Sequence, residues 1–518
     1  MYRKFTILFF IFSFVALQAQ NEFITIWKPT EGNPPNINPA PPVCGDTQIW
    51  FPGIGTNYTI TWEEIGFPQH NGTMTNVTST DRVLIDFGAP FNPNSGNALY
   101  RVKVSNGNGN FNQIKFANNT IIQGTFFDLI SVQLVGSSNK IMAIEQWGNI
   151  SWSSMNSAFT QCLNMQLTAT DTPNLQNVED ASMMFYNSFN FEGNNSMALW
   201  NTSNIKNFKA MFGYRNANPT INLTDNFNPP IGSWNTSNVT DMSYMFMERK
   251  LFNQNINSWD VSKVTDMAYM FAQCTTYNQP LNNWNTSKVL NMQFMFHFMP
   301  DFNQPLDQWD TSKVTTMAHM FHGTNSFNQP LDSWDTSNVT DTNTMFTEAS
   351  SFDQTLESWD LPNLVIADNM FLGSGINCDN FSFILAGWAD NPVTANNVYL
   401  QSVYPLKYSS NAIPKKNILL GKGWSMTGDS VGECRKLGLN ELHLENKPSI
   451  YPNPADDFIF LKNIYNVKKF IITDASGRII TQENLRNDFI NIDFLPKGSY
   501  ILQLITTDKS YSLKFIKK

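Results

Sequence analysis

Apolar side chains in the middle of this chain fall on a beat of 25 residues. Tryptophans stand at Trp234, Trp259, Trp284, Trp309, Trp334 and Trp359. Met-Phe pairs keep the same interval at Met245-Phe246, Met270-Phe271, Met295-Phe296, Met320-Phe321, Met345-Phe346 and Met370-Phe371. A fixed period of this size is the mark of stacked repeats. Two earlier pairs, Met184-Phe185 and Met211-Phe212, precede their successors by 27 and 34 residues, so the array begins near residue 150 with irregular units and becomes strict after Trp234.

Within the unit around Trp309 the apolar positions are Phe302, Leu306, Trp309, Val314, Met317, Met320 and Phe321. Val314, Met317 and Phe321 lie three and seven apart, a helical spacing. The Thr after the Val, as in VTDM at Val239–Met242 and Val264–Met267, is a good N-cap. A short helix is predicted there. The Leu-x-x-Trp segment reads as a strand that starts after Pro280, Pro305 and Pro330, because proline would remove a ladder bond. Neither element can bury its own apolar face, whereas stacked units make one continuous core. The expected fold over 141–371 is a leucine-rich-repeat-like repeat solenoid with a short strand plus a short helix per 25-residue coil. Asn253, Asn278, Asn303 and Asn328, with Gln254, Gln279, Gln304 and Gln329, should stack at about the strand spacing of 4.8 Å as a structural amide ladder.

The flanks read differently. NYTITWEE, RVLIDFG and LYRVKVSNGNG are alternating runs bounded by Gly, Asn and Pro, and predict a β-sandwich-like module over 20–140, with the Pro-rich 33–42 as a linker or lead-in. Residues 372–434 fit a cap on the open end of the array. From 440 to 518 the strand patterns predict a second small β-sandwich, so the solenoid is expected to be flanked by β-sandwich modules at both ends.

Composition points outward from the cell. Only 14% of the 518 residues are charged, and the polar remainder is rich in Asn, Thr, Ser and Gln. Arg3 and Lys4 precede an apolar run from Phe5 to about Ala19, which reads as a signal peptide over 1–19. The run is short for a bilayer span of about 20 residues, so no membrane span is expected in the mature protein. Net charge is −9; residues 440–518 hold 11 Lys/Arg and 9 Asp/Glu, or +2, leaving −11 for the rest. An acidic body argues against nucleic acid as partner. Five cysteines with no CxxC pair make zinc improbable. Cys162 and Cys274 read as buried apolar side chains. Cys378 and Cys434 flank the segment after the last repeat and are candidates for a disulfide.

Two resemblances follow from these motifs. FNQPL..WDTS.VT.M..MF resembles the BspA-like leucine-rich-repeat surface proteins over about 150–371, although Thr342 and Ala367 replace the first Met of the phrase in the last two units. That resemblance implies an extracellular solenoid used for adhesion and partner binding. The tail resembles the type A C-terminal sorting domain of the type IX secretion system of Bacteroidetes, through Tyr451-Pro452-Asn453-Pro454, Gly477-Arg478, and Gly498 with Tyr500 in KGSY. It implies handling by the type IX secretion machinery and passage through periplasm and outer membrane to the surface or medium.

No catalytic constellation is legible: the histidines His70, His297, His319, His322 and His443 match no metal or triad spacing. His297 and His322 share a register with Met247, Ala272, Thr347 and Leu372, which reads as a variable solvent-facing position. Asp260, Asp310, Asp335 and Asp360 alternate with Asn235 and Asn285, a pattern that suits turn hydrogen bonds better than a calcium edge. No cofactor and no metal are expected. The leading expectation is a non-enzymatic exported protein that binds an extracellular matrix protein or glycan. Its ligand face would be the two positions between Leu and Trp, as in Asp307-Gln308 and Asp332-Ser333. The alternative is carbohydrate capture by the N-terminal module, with Trp50, Phe51 or Trp62 as stacking platforms.

Overall fold

The computed structural model of the chain describes residues 21–32, 40–122, 129–215, 225–434, 449–451, 453–462, 467–474, 477–485, 487–506 and 510–517. The signal-peptide segment 1–19, most of the Pro-rich lead-in, Pro452 and His443 lie outside them.

The expected solenoid of strand-plus-helix coils is not what forms. Strands in several small sheets supply most of the regular structure, and the described α-helices are Cys378–Asp390 and Ile413–Gly421, both beyond the repeats. Inside the repeats the backbone is a chain of turns, and successive units touch through single parallel bridges such as Asp266↔Asn291, Asn291↔Thr316 and Thr316↔Asp341.

The reason lies in where the amides go. Met242, Tyr244, Phe246 and Glu248 donate their N–H groups to the carbonyls of Asp266, Ala268, Met270 and Ala272 in the next unit at 2.8–3.0 Å. The N–H groups between them close short turns, Met245 to Met242 and Met247 to Tyr244, both at 3.2 Å. The pattern recurs at Met317, His319, Phe321 and Gly323, which donate to Asp341, Asn343, Met345 and Thr347. A helix would turn all these donors inward and leave the next unit without partners. Left-handed backbone at Tyr244, Glu248, Tyr269, Gln273, Phe294, Phe298 and His319, with φ of 51–62°, stops any helix before its second turn. The Thr expected as N-cap looks across instead: the Thr315 hydroxyl and N–H both donate to the Leu290 carbonyl. Val314, Met317 and Phe321 are nevertheless fully buried. Helical spacing here selects an inward face and nothing more.

The N-terminal region also departs from a separate sandwich. Its main sheet has seven strands: Gln166–Leu167, Ile141–Gln146, Phe23–Trp27, Tyr100–Ser105, Gly53–Glu64 and Phe67–Ser79 follow one another across it, and Asn110–Ile114 pairs on Gly53–Glu64. The edge pair Ile141–Gln146 and Gln166–Leu167 is parallel and leads directly into the first repeat unit. Phe23, Trp27, Val102 and Val104 join the repeat side chains in one core that runs through to Met426. The second layer is small: Gln48–Phe51 pairs with Val83–Asp86, and Phe51 of that pair packs on Trp27 and Phe111 of the main sheet, while the repeats extend the same core.

At the other end the pattern of the repeats is imitated by the cap. Ala367 and Asn369 donate N–H groups to the carbonyls of Tyr399 and Leu400. Trp388, on helix Cys378–Asp390, donates its indole N–H to the Leu356 carbonyl at 2.9 Å, the bond that Trp259, Trp284, Trp309, Trp334 and Trp359 make to a Leu or Ile one unit back. Cys378 and Cys434 are joined by a disulfide, Cα–Cα 5.4 Å, that closes a 56-residue separation. The tail has its own core, with Ile459, Ile472, Leu502 and Phe515 between a three-stranded and a four-stranded sheet. No helix of the described residues is long and apolar enough to cross a membrane.

The amides form a directional column. The Asn303 side-chain oxygen accepts from Asn328 N at 3.0 Å and from Gln329 Nε2 at 2.9 Å, and Asn278, Asn253 and Asn328 do the same for their next units. Asn303→Ala leaves the Asn328 N–H without its acceptor and Gln329 Nε2 with only the Asn303 carbonyl, and should lower unfolding stability by about 1–3 kcal/mol. Asn303→Asp keeps the acceptor, as Asp353 does naturally in this column, and should lower it less. Chemical denaturation of the two variants reads the difference.

Candidate ligand face of the repeat region

Each Leu-x-x-Trp segment is pinned at both ends. Leu306 and Trp309 are buried, and the indole N–H of Trp309 donates to the Leu281 carbonyl at 3.0 Å, as Trp334 does to Leu306 at 3.1 Å. The two intervening residues therefore face outward. Asp307 and Gln308 are half-buried, Asp332 and Ser333 exposed. The four meet on one face: Ser333 Oγ donates to the Asp307 carbonyl at 2.9 Å, Asp307 Oδ2 accepts from Gln308 Nε2 at 2.6 Å, and Asp307 Oδ1 accepts from Asn282 Nδ2 at 2.9 Å. Part of the face thus ties the units together, and Asp332 and Ser333 extend beyond it.

The row after the tryptophans is occupied by turns. Oδ1 of Asp260, Asp310 and Asp335 accepts the N–H two residues on, at Ser262, Ser312 and Ser337, at 2.9–3.0 Å. Asp360 Oδ1 accepts from Asn391 Nδ2. Among the described residues no group of three or more His, Cys, Asp or Glu side chains could hold a metal ion.

The stacking platforms of the N-terminal alternative are not free. Phe51 and Trp62 belong to the core. The face of Trp50 is covered by the Arg82 guanidinium, 4.5 Å from the ring centre, and its indole N–H donates to the Val43 carbonyl. Position in a strand is readable from sequence; the side on which the sheet meets the repeats is not.

The histidines correct the sequence reading most clearly. His297, read as solvent-facing, is buried and His322 of the same register half-buried, and His319 beside them is buried as well. Tyr244, Tyr269, Phe294 and His319 form a column of stacked rings with centres 4.0–4.6 Å apart. His297 and His322 stand beside it, 4.9 Å from each other. Like side chains in register cover one another, which a single unit's text cannot show. Among the described residues the Nδ1 atoms of His297 and His322 have no hydrogen-bond partner, and the Thr344 hydroxyl bonds His319 Nδ1. Burial, reinforced by the neighbouring imidazoles, pushes His297 down to about 3 and His319 down to about 4.

The tail's sequence motif is a set of structural ties. Asn453 accepts the Ile516 N–H and donates to the Lys514 carbonyl, holding the last strand. Gly477, with φ of 86°, lets Arg478 turn back onto Asp474. Tyr500 donates to the Pro496 carbonyl and stacks on Phe515, while Tyr451 is exposed. Pro454 follows Asn453 at the bend, and Gly498 opens the strand that carries Tyr500.

Residues 449–518 match the secretion system C-terminal sorting domain. The chain is an exported protein. The type IX route takes it to the cell surface or the medium. The repeats match the model described as Mycoplasma protein of unknown function, DUF285, in three overlapping segments, 153–271, 215–312 and 280–384. Among curated proteins nothing matches.

The buried imidazoles set an acid response. The unfolded chain protonates its histidines near the ordinary value of about 6.5, while the folded chain resists until about 3–4, so stability falls as pH drops below about 6.5. Asp266 and Asp341, raised by burial, oppose this only at lower pH, nearer the carboxylate range. The melting temperature should fall between about pH 7.5 and about pH 5. The double variant His297→Ala with His319→Phe, which copies Ala272 and Phe294 of the same columns, should flatten that dependence.

Proposed function

We propose that this exported protein is a non-enzymatic binding protein that uses its repeat region to hold an extracellular matrix protein or glycan. The observation that carries the reading is the Leu-x-x-Trp face. A rigid stack repeats an outward polar pair unit after unit, with Asp332 and Ser333 exposed beside the tied Asp307 and Gln308. Repetition of one weak contact in fixed register gives avidity without a deep pocket. The resemblance of the repeat phrase to BspA-like surface proteins supports the adhesive side of the reading, and export by the sorting tail supplies the location. The buried state of Phe51 and Trp62 favours the repeats over the N-terminal region as the contact surface.

The test is an array of matrix proteins and glycans probed with the purified chain and with Asp332→Ala and Ser333→Ala together. Both positions are exposed, so folding should survive. Capture of the bound partner should weaken about fivefold to thirtyfold, the equivalent of about 1–2 kcal/mol. Unchanged capture by the double variant would remove this face from the assignment.

A further inference from the structure

The residue before the buried aliphatic of each unit forms one outward column: Asn204, Asn238, Lys263, Lys288, Lys313, Asn338 and Asn363. Wherever it is Asn, the amide bonds to the preceding unit. Asn204 donates to the Gln176 carbonyl, Asn238 to Ser203, Asn338 to Ser312 and Asn363 to Ser337, at 2.6–2.8 Å. Lysine does not make this bond. Lys263 Nζ instead reaches Asn238 Oδ1 at 2.7 Å. Lys263 thus keeps a contact to the unit before it, no such bond is made by Lys288 or Lys313 among the described residues, and all three side chains stand exposed at the same position of successive units. None of the three forms a salt bridge among the described residues. Like charges in register repel, and stacking does not require them, since Asn serves on both sides. A local rule broken in three consecutive units, with a compensating hydrogen bond only at Lys263 among the described residues, marks a functional position.

We propose that Lys263, Lys288 and Lys313 form a binding strip for a linear acidic polysaccharide carrying uronate carboxylates. Evenly spaced cations match a polymer with regularly spaced carboxylates. The neighbouring row bears Asp260 and Asp310, both hydrogen-bonded to Ser262 and Ser312; together with a net charge of −9 it disfavours a densely charged chain. Trp259, Trp284 and Trp309 are buried, so the strip offers no platform on which the bases of a single-stranded nucleic acid could stack. The strip occupies a different row from Leu-x-x-Trp and stands or falls independently of that face.

The experiment measures binding of the full chain to polygalacturonate as salt is varied, with neutral dextran and single-stranded oligothymidylate as the other probes. Polygalacturonate should bind at low salt, with log affinity falling against log salt at a slope of about −2 to −3, one counterion for each lysine. The triple variant Lys263→Asn, Lys288→Asn, Lys313→Asn should bind at least about tenfold more weakly with a slope near zero. It should melt no lower than the parent, because Asn restores the column bond. Asp332→Ala with Ser333→Ala should leave this binding unchanged, which separates the strip from the other face. Parent-like binding by the triple variant, no binding by the parent, or an equal loss with the control Lys250→Asn would overturn the proposal. Oligothymidylate bound as tightly and through the same lysines would overturn the choice of partner.

Discussion

The structure depends on a backbone hydrogen bond that crosses from one unit to the next. Alternate N–H groups along the Val-Thr-x-Met-x-x-Met-Phe segment leave their own unit and meet the carbonyl at the equivalent place 24 residues on. Because a buried amide must find an acceptor, this single requirement fixes the register of every unit against its neighbour. It also dictates the left-handed residues, which re-aim the backbone so that alternate donors point along the stack. Helix and strand are both excluded by the same bond: the first keeps its donors inside, and the second would need longer pairing than the single bridges allow.

Register turns sequence repetition into side-chain columns. Tryptophan rings lie nearly parallel, 6.2–6.4 Å apart and within 5° for the Trp234-Trp259, Trp284-Trp309 and Trp309-Trp334 pairs, and each indole N–H finds a carbonyl one unit back. Asparagine oxygens accept from the next unit's backbone, and buried threonine hydroxyls such as Thr311 and Thr336 donate to the carbonyl of the following Asp. Identical neighbours are favourable when the group can be both donor and acceptor or can stack, and unfavourable when it carries charge. The columns of His and Lys are therefore the places where the stack is least at ease.

The ends of the array need partners for the same donors. On one side a sheet shares its edge strand with the first unit, and on the other a disulfide-closed cap continues both the backbone bonds and the indole bond through Trp388. Phe23, Phe111 and Phe116 meet Trp152 and Phe159 at that junction, while Phe51 packs on Trp27 and Trp62 on Phe87 and Tyr100 inside the N-terminal region. The sorting tail has a core of its own. Its motif residues tie strands to one another, and delivery to the cell exterior is thus carried by a region whose described core residues cluster apart from those of the repeats.

The sequence by itself determined the period, the inward set Phe302, Leu306, Trp309, Val314, Met317, Met320 and Phe321, the alignment of the amides, the outward place of Asp332 and Ser333, and the export tail. All of these follow from which residue types recur at which interval. Tertiary structure alone decided whether the amides would bond within a unit or between units, and hence that the segment spaced like a helix would become turns. It decided that His297 and His319 would be covered by neighbouring rings, that Trp50 would lie under Arg82, and that three lysines would stand together where asparagine makes a bond. Interval tells which side chains become neighbours; the partner of a backbone N–H and the burial of a group in a stack depend on the unit beside it, which one period of text does not contain.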